Sequence, residues 1–483
     1  KRLAFDELFF MQIILALKRK NIQLENKSFT INADIKKLSA NFTKCIDFEL
    51  TKSQKDVINK IYLDMKSNHV MNRLLQGDVG SGKTVVAIFS MLIAVESGYQ
   101  AALMCPTELL SEQHFNTISK FIERYNKETG TNFKVVLLQG KQRKKLRTEI
   151  LSSIKNGSAN LIIGTHALIQ EAVEYYKLGF TIIDEQHKFG VLQRAKLKEK
   201  GLNPDVLVMT ATPIPRTLYS TTYGDLEVSK ITELPLNRKP VTTTLINDSE
   251  KNKAFSFVRD EVKKGRQVYF IYPLIDESEK MDLKSAETNY EYLKNNVFGD
   301  LKVGMIHGRV LSFDKDETMK DFIENKINIL VSTTVIEVGI DVSNATVMVI
   351  EDAHRFGLSQ LHQLRGRVGR GAEKSYCILI TKASDPISRR RLEVMCKTND
   401  GFLIAETDMD MRGPGDFYGT RQSGDMKFIY TDLAKDKNLL NFARECAFKI
   451  IESDMHLRKP EHALIKKYFQ NYYSDSMNLI KIA

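Results

Sequence analysis

The segment Gly77-Asp78-Val79-Gly80-Ser81-Gly82-Lys83-Thr84 has the spacing G-x-x-x-x-G-K-[ST], and each residue type in it has a use. Glycines let successive backbone N–H groups close round an anion. Lys83 sets a cation against the outer phosphates of a nucleoside triphosphate, and the Thr84 hydroxyl is a ligand for Mg2+. Asp78, Val79 and Ser81 fill the loop that would line the phosphate chain. A second group, Thr181-Ile182-Ile183-Asp184-Glu185, ends an apolar run in two carboxylates. Asp184 suits the Mg2+ shell, and Glu185 suits a base that orients and deprotonates an attacking water. A third group is Gln363, Arg367 and Arg370, which in a helix fall at i, i+4 and i+7 on one face. Two guanidiniums presented together would stabilise charge on the γ-phosphoryl oxygens in the transition state, an effect worth about 10³–10⁵ in rate. Alone, the arginines would read as a solvated basic face; beside the loop and the acid pair, the catalytic reading is preferred.

A phosphate loop needs a strand before it and a helix after it, and 73–76 and 85–95 supply both. Further apolar runs at 101–104, 134–138, 161–164, 181–184 and 206–209 alternate with helical stretches. Such strands belong to a parallel sheet covered on both faces. A polar connection at 234–240 with two prolines interrupts the pattern, which restarts with strands at 243–246, 268–271, 302–305, 329–332, 347–350 and 376–379. Beyond about residue 384 the strands stop and charged helical sequence follows. The organisation expected is α/β: a helical lead-in over 1–46, one lobe over 47–236, a second over 237–383, and a mainly helical region over 384–483.

A formal net charge of +11 favours a polyanionic partner, although many basic proteins bind no nucleic acid. The five cysteines are too sparse for a zinc or redox motif, which suits a reducing cytoplasm and small buried side chains. No run is long and apolar enough to span a membrane. The start, Lys1-Arg2-Leu3-Ala4-Phe5, enters a helical pattern at once without an initiator Met, so an upstream domain is expected to be absent.

Asp184-Glu185-Gln186-His187 reads as a DExH box, and with the phosphate loop it resembles helicase superfamily 2. Other segments agree in order. Phe48 to Gln54 resembles the Q motif, in which Gln54 would read the adenine edge. Pro106-Thr107-Glu108-Leu109-Leu110, Gly164-Thr165-His166 and His307-Gly308-Arg309 resemble motifs that touch the nucleic-acid backbone, and Thr210-Ala211-Thr212-Pro213 resembles the motif coupling ATP to DNA. Ser332 to Asp341, with Gly339 and Asp341 on the nucleotide side, and Gln363 to Arg370 look like the fifth and sixth motifs.

Three segments are similar to the RecG family in particular: Asp184 to Val191, Ile350 to Arg367, and Asp408 to Gly424. Two positions depart from it, with Lys188 where Arg is usual and His354 where Glu is expected. The third segment resembles a translocation motif shared with the transcription-repair coupling factor; Arg412, Arg421 and Gln422 would transmit lobe movement to duplex DNA. The resemblance implies two tandem RecA-like lobes, ATP and Mg2+ as cofactors, duplex and branched DNA as partners, no membrane association and a monomer. It also implies remodelling of stalled forks and Holliday junctions, with fork selectivity weakened where the wedge domain is absent. An RNA helicase of the same superfamily, or a nucleotide-gated DNA-binding module without turnover, are the alternatives. The basic run Lys141 to Arg147 suits phosphate contact and a solvated surface equally, and Tyr468, Phe469, Tyr472 and Tyr473 suit helix packing better than base stacking.

Overall fold

In the computed structural model the described residues are 1–24, 27–185, 196–197, 199–201, 203–212, 226–235, 239–273, 279–307, 312–333, 342–369, 371, 373–383, 385–412, 429–432 and 435–472. The first lobe is a sheet of β1 (Asn72–Gly77), β2 (Gln100–Met104), β3 (Val135–Leu138), β4 (Leu161–Gly164), β5 (Leu178–Asp184), β6 (Asp205–Thr210) and β7 (Glu227–Ile231), in the order β3-β4-β2-β5-β6-β1-β7. Every pairing in it is parallel. Its inner strands β2 and β5 are buried along their whole length because helices cover both faces. One face packs Leu75, Leu103 and Ile182 against Val86 and Phe89 of helix Lys83–Glu96. The other packs Val136, Ile162 and Ile183 against Ile150 and Ile154 of helix Lys144–Lys155.

The second lobe repeats this scheme with β8 (Thr242–Asn247), β9 (Gln267–Ile271), β10 (Val303–Ile306), β11 (Ile329–Ser332), β12 (Ala345–Ile350) and β13 (Tyr376–Thr381), in the order β10-β11-β9-β12-β13-β8. All of its pairings are also parallel. Parallel strands bring their C-terminal ends to one edge, where α/β proteins place ligands. The loops after β1, β5 and β6 therefore converge, and they carry Gly77, Glu185 and Ala211.

One strand escapes the sequence pattern. β7, Glu227-Val228-Ser229-Lys230-Ile231, has three polar residues in five and no continuous apolar run, as suits a strand at the sheet edge beside β1 that is only partly buried. Its Ser229 hydroxyl accepts a hydrogen bond from Arg73 Nη1 at 2.8 Å.

The two chain ends fold together. Leu8, Ile13 and Ile14 of helix Arg2–Leu24 share a core with Leu440, Ala443 and Ala447 of helix Lys437–Ser453 and with Phe469. Phe10 stacks on Tyr468 with ring centroids 4.4 Å apart, so these aromatics are packing residues. Tyr473 lies outside the described residues. Cys45, Cys105 and Cys377 are buried as expected, whereas Cys396 is exposed and Cys446 half-buried. Among the described residues, no helix is long and apolar enough to cross a membrane.

A buried ion pair ties the N-terminal segment to the base of the first sheet. Lys27 Nζ donates to the Asp205 carboxylate at 2.8 Å, to Met65 O at 2.9 Å and to Asp64 O at 3.1 Å. Asp205 Oδ1 in turn accepts the Met71 N–H at 2.6 Å, joining the starts of β1 and β6. Both side chains are almost fully enclosed. Burial pushes the Asp205 carboxyl up to about 7 against the pull of the Lys27 charge, and burial lowers the Lys27 ammonium. Substituting Lys27→Met removes the cation and two carbonyl caps while leaving Asp205 enclosed. It is expected to cost about 3–5 kcal/mol of stability, read as a fall in the denaturant midpoint of the first lobe. A loss below about 1 kcal/mol, the range of a solvent-exposed pair, would contradict this reading.

Candidate active site

The phosphate loop leaves β1 at Gly77 and enters helix Lys83–Glu96 through Gly82. Gly82 has φ of +84°, a left-handed conformation that favours glycine, and a Cβ there would stand 2.3 Å from Gln54 Nε2 and displace that amide. Lys83 Nζ folds back into the loop and donates to Gly77 O at 2.8 Å and Asp78 O at 3.0 Å. The Ser81 hydroxyl is buried in this cradle with no hydrogen-bond partner on the protein, as an oxygen kept for a phosphate would be.

Gln54 is held at both ends of its amide. Its Oε1 accepts the Thr51 N–H at 2.8 Å, closing a capping box at the start of helix Lys52–Lys66. Its Nε2 donates to Ser81 O at 2.9 Å. With one hydrogen bond at each end of the amide, Gln54 braces the phosphate loop in this conformation and keeps a second N–H and a second lone pair.

The acid pair closes β5. The Asp184 carboxylate is buried, and its Oδ2 lies 3.0 Å from His114 Nε2. Burial works to raise the Asp184 carboxyl, but the hydrogen bond and charge of His114, helped by Lys83, outweigh it and hold the group low and ionised. Glu185 is the opposite case: burial and the Asp184 charge raise it, opposed by Lys83 and Arg367. Two neighbouring carboxyls are thus driven apart, the pattern of an acid–base site. Glu185 has φ of +52°, a left-handed conformation that is strained for a residue with a side chain. The Ala211 N–H donates to its carboxylate, so the segment after β6 touches Glu185 directly.

The second lobe reaches into this site. The expected helix over the arginines is shorter than the spacing implied: it runs Leu358–Arg365 and is closed by Gly366, and Gly369 has φ of +79°. Arg367 therefore lies in the turn beyond the helix, and the shared-face argument does not apply to it. It is nonetheless buried, and its charge bears on Glu185 of the other lobe. Gly366 makes this approach possible, since a Cβ there would stand 2.7 Å from Val79 Cβ of the phosphate loop. Beside it, His362 Nε2 lies 2.6 Å from Asp78 Oδ1. Gln363 is half-buried on the same helix.

Other expected contact residues are placed as follows. The Thr210 and Thr212 hydroxyls pair at 2.7 Å next to Ala211. The Thr107 hydroxyl accepts the Leu110 N–H at 3.3 Å and caps helix Glu108–Thr129. Thr165 is buried, so its side chain does not offer a DNA contact in this conformation. His307 follows β10, with Nε2 3.8 Å from Glu287. Thr84 opens the helix directly behind Lys83, and Arg412 ends helix Gly401–Arg412. In the basic run, Arg147 donates to Gln139 O at 2.8 Å and to Gln170 at 2.6 Å, which makes it part of the lobe's own bonding. His354 Nδ1 lies 3.0 Å from the Thr381 hydroxyl. His187, Lys188, Gly339, Asp341, Arg370, Arg421 and Gln422 lie outside the described residues. Sequence reading gave no role to His114, and none to His362 and Arg365 although both lie in recognised segments, because no local spacing shows their partners on other elements.

Comparison with known proteins agrees with this geometry. Residues 51–221 match the model of the DEAD/DEAH box helicases, and 251–372 match the helicase conserved C-terminal domain. Residues 398–483 match domain 3, C-terminal, of the ATP-dependent DNA helicase RecG. The ATP-dependent DNA helicase RecG of Streptococcus pneumoniae is 47% identical over 470 residues, which are 97% of this chain and 69% of that protein. The chain belongs to the RecG family. RecG of Synechocystis is 48% identical over 96% of this chain, which spans 55% of that relative's length. A solved structure of RecG bound to a three-way DNA junction is 44% identical, with a TM-score of 0.73 over 91% of this chain and 56% of that one. Yeast Dbp5 bound to RNA, at 16% identity and a TM-score of 0.53, shares the fold. As expected, this RecG family member has two parallel-sheet lobes and a region matching domain 3.

Proposed function

We propose that this chain is the motor of an ATP-driven duplex-DNA translocase that remodels branched DNA such as stalled forks and Holliday junctions. The observation that carries the proposal is Arg367 of the second lobe, buried where its charge acts on Glu185 of the first. Lys83 and the loop from Gly77 to Thr84 would bind the triphosphate. Glu185, with the Ala211 N–H on its carboxylate, would orient the attacking water and take its proton. Arg367 and Arg370 would lie against the γ-phosphoryl oxygens, with Gln363 beside them. Thr84 and Asp184 offer a hydroxyl and an ionised carboxylate, hard oxygen donors that fit Mg2+. When bound, that ion would neutralise charge on the β- and γ-phosphate oxygens.

Because the site is split, hydrolysis changes what holds the lobes together. Thr210-Ala211-Thr212 ties the base to the coupling segment, and Arg412, Arg421 and Gln422 would pass lobe movement to duplex DNA. RecG is the protein in the structure with a three-way junction, and the net charge of +11 suits the same partner. We place the working protein in the cytoplasm as a monomer. The test is hydrolysis by this chain with no DNA, single-stranded DNA, linear duplex or a model fork. Duplex and fork should stimulate turnover; stimulation by RNA with no response to duplex DNA would overturn the proposal.

A further inference from the structure

A buried line of hydrogen bonds runs from the phosphate loop to the end of the second lobe, and neither chemistry nor DNA contact accounts for it. At the far end, the Arg365 guanidinium is only 3% exposed. Its Nη1 donates to Met395 O at 2.8 Å and Thr398 O at 2.9 Å, at the C-terminus of helix Pro386–Lys397. Two residues on, Asp400 caps helix Gly401–Arg412, accepting the Phe402 N–H at 2.8 Å. Arg365 Nη2 faces His362 Nδ1 at 3.0 Å. A guanidinium can only donate, so Nδ1 accepts and the imidazole proton sits on Nε2. That Nε2–H points at Asp78 Oδ1, 2.6 Å away in the phosphate loop. The same Asp78 oxygen accepts the Val79 N–H at 2.6 Å, and the Asp78 carbonyl accepts from Lys83 Nζ at 3.0 Å. Burial raises the Asp78 carboxyl, but the hydrogen bond from His362, helped by the Val79 N–H and the Lys83 charge, overcomes this and holds it ionised.

We infer that His362 is a positioning residue for hydrolysis, linking the phosphate loop through Arg365 to the start of the helix that ends at Arg412. The inference rests on the ATPase reading proposed above. Phosphates entering the loop compete with the Gly77 and Asp78 carbonyls for Lys83. Drawing Lys83 away alters the charge beside Asp78, which is the acceptor of His362. The geometry of the line is therefore sensitive to what the loop holds, and its other end fixes the carbonyls that lead into helix Gly401–Arg412. Arg365 sets the tautomer, as an outer-shell partner does for a metal-bound histidine.

Two variants of similar size and polarity test this. In His362→Gln the amide nitrogen reaches the place of Nε2 and can still donate to Asp78. In His362→Asn the amide can accept from Arg365 but falls short of Asp78. The readouts are the DNA-stimulated kcat for ATP, the affinity for a fluorescent ADP analogue, and the thermal midpoint. His362→Asn should lower the stimulated kcat about tenfold, the equivalent of one hydrogen bond to a charged group, with ADP affinity within about twofold of wild type. His362→Gln should restore kcat to within about twofold of wild type. Equal kcat in wild type and both variants would overturn the inference, as would an equal fall in both variants with a lowered thermal midpoint. Wild-type hydrolysis with an unaffected His362→Asn removes this inference alone, whereas absence of hydrolysis in the wild type removes the proposed function and this inference with it.

Discussion

Glu185→Gln is expected to leave a protein that binds ATP and hydrolyses it about 10²–10⁴-fold more slowly, the range for loss of a positioned general base. The substitution keeps the size of the side chain and an acceptor for the Ala211 N–H, so the segment after β6 stays in place. It removes the group that would take the water proton. Binding survives because Lys83 and the phosphate loop are separate from Glu185 and are held by their own hydrogen bonds. The amide also lacks the charge that Asp184 repels and burial penalises, so the folded protein should not be less stable. Equilibrium binding of ATP and single-turnover hydrolysis, measured on one preparation, separate the two effects. Loss of binding with no separate loss of chemistry would count against the assignment of the base.

The sheet architecture was legible because parallel strands covered on both faces are continuous apolar runs, as β2 and β5 are. β7 was not, since an edge strand carrying Glu227, Ser229 and Lys230 among five residues has no such run. The phosphate loop and the acid pair were legible for a different reason: their chemistry is local in sequence, with eight residues in one case and adjacent carboxylates in the other. What pattern could not reach is pairing between distant elements. His114 meets Asp184 across 70 positions and His362 meets Asp78 across 284, and only the fold brings them together. The packing of helix Arg2–Leu24 against the C-terminal helices belongs to the same class. At Gln54 and in the turn carrying Arg367, the residues were identified and their local geometry was not. The capping box claims the Gln54 amide, and Gly366 ends the helix before the arginine.

Arg367 is expected to carry the largest single effect on rate. It lies beyond its helix in a turn, buried, with Gly366 against Val79 and His362 against Asp78 on the same contact surface. It touches the first lobe only where the two lobes meet. A guanidinium in that place would stabilise charge that grows on the γ-phosphoryl oxygens during transfer, so its worth should appear in turnover more than in binding. The decisive measurement is therefore DNA-stimulated ATP turnover by Arg367→Ala beside its nucleotide affinity. A loss of about 10³–10⁵ in kcat with affinity nearly unchanged is the result expected of an arginine that completes the site from the second lobe. Turnover within a few-fold of wild type would mean that the first lobe hydrolyses ATP unaided, and a catalytic centre divided between the lobes would have to be abandoned.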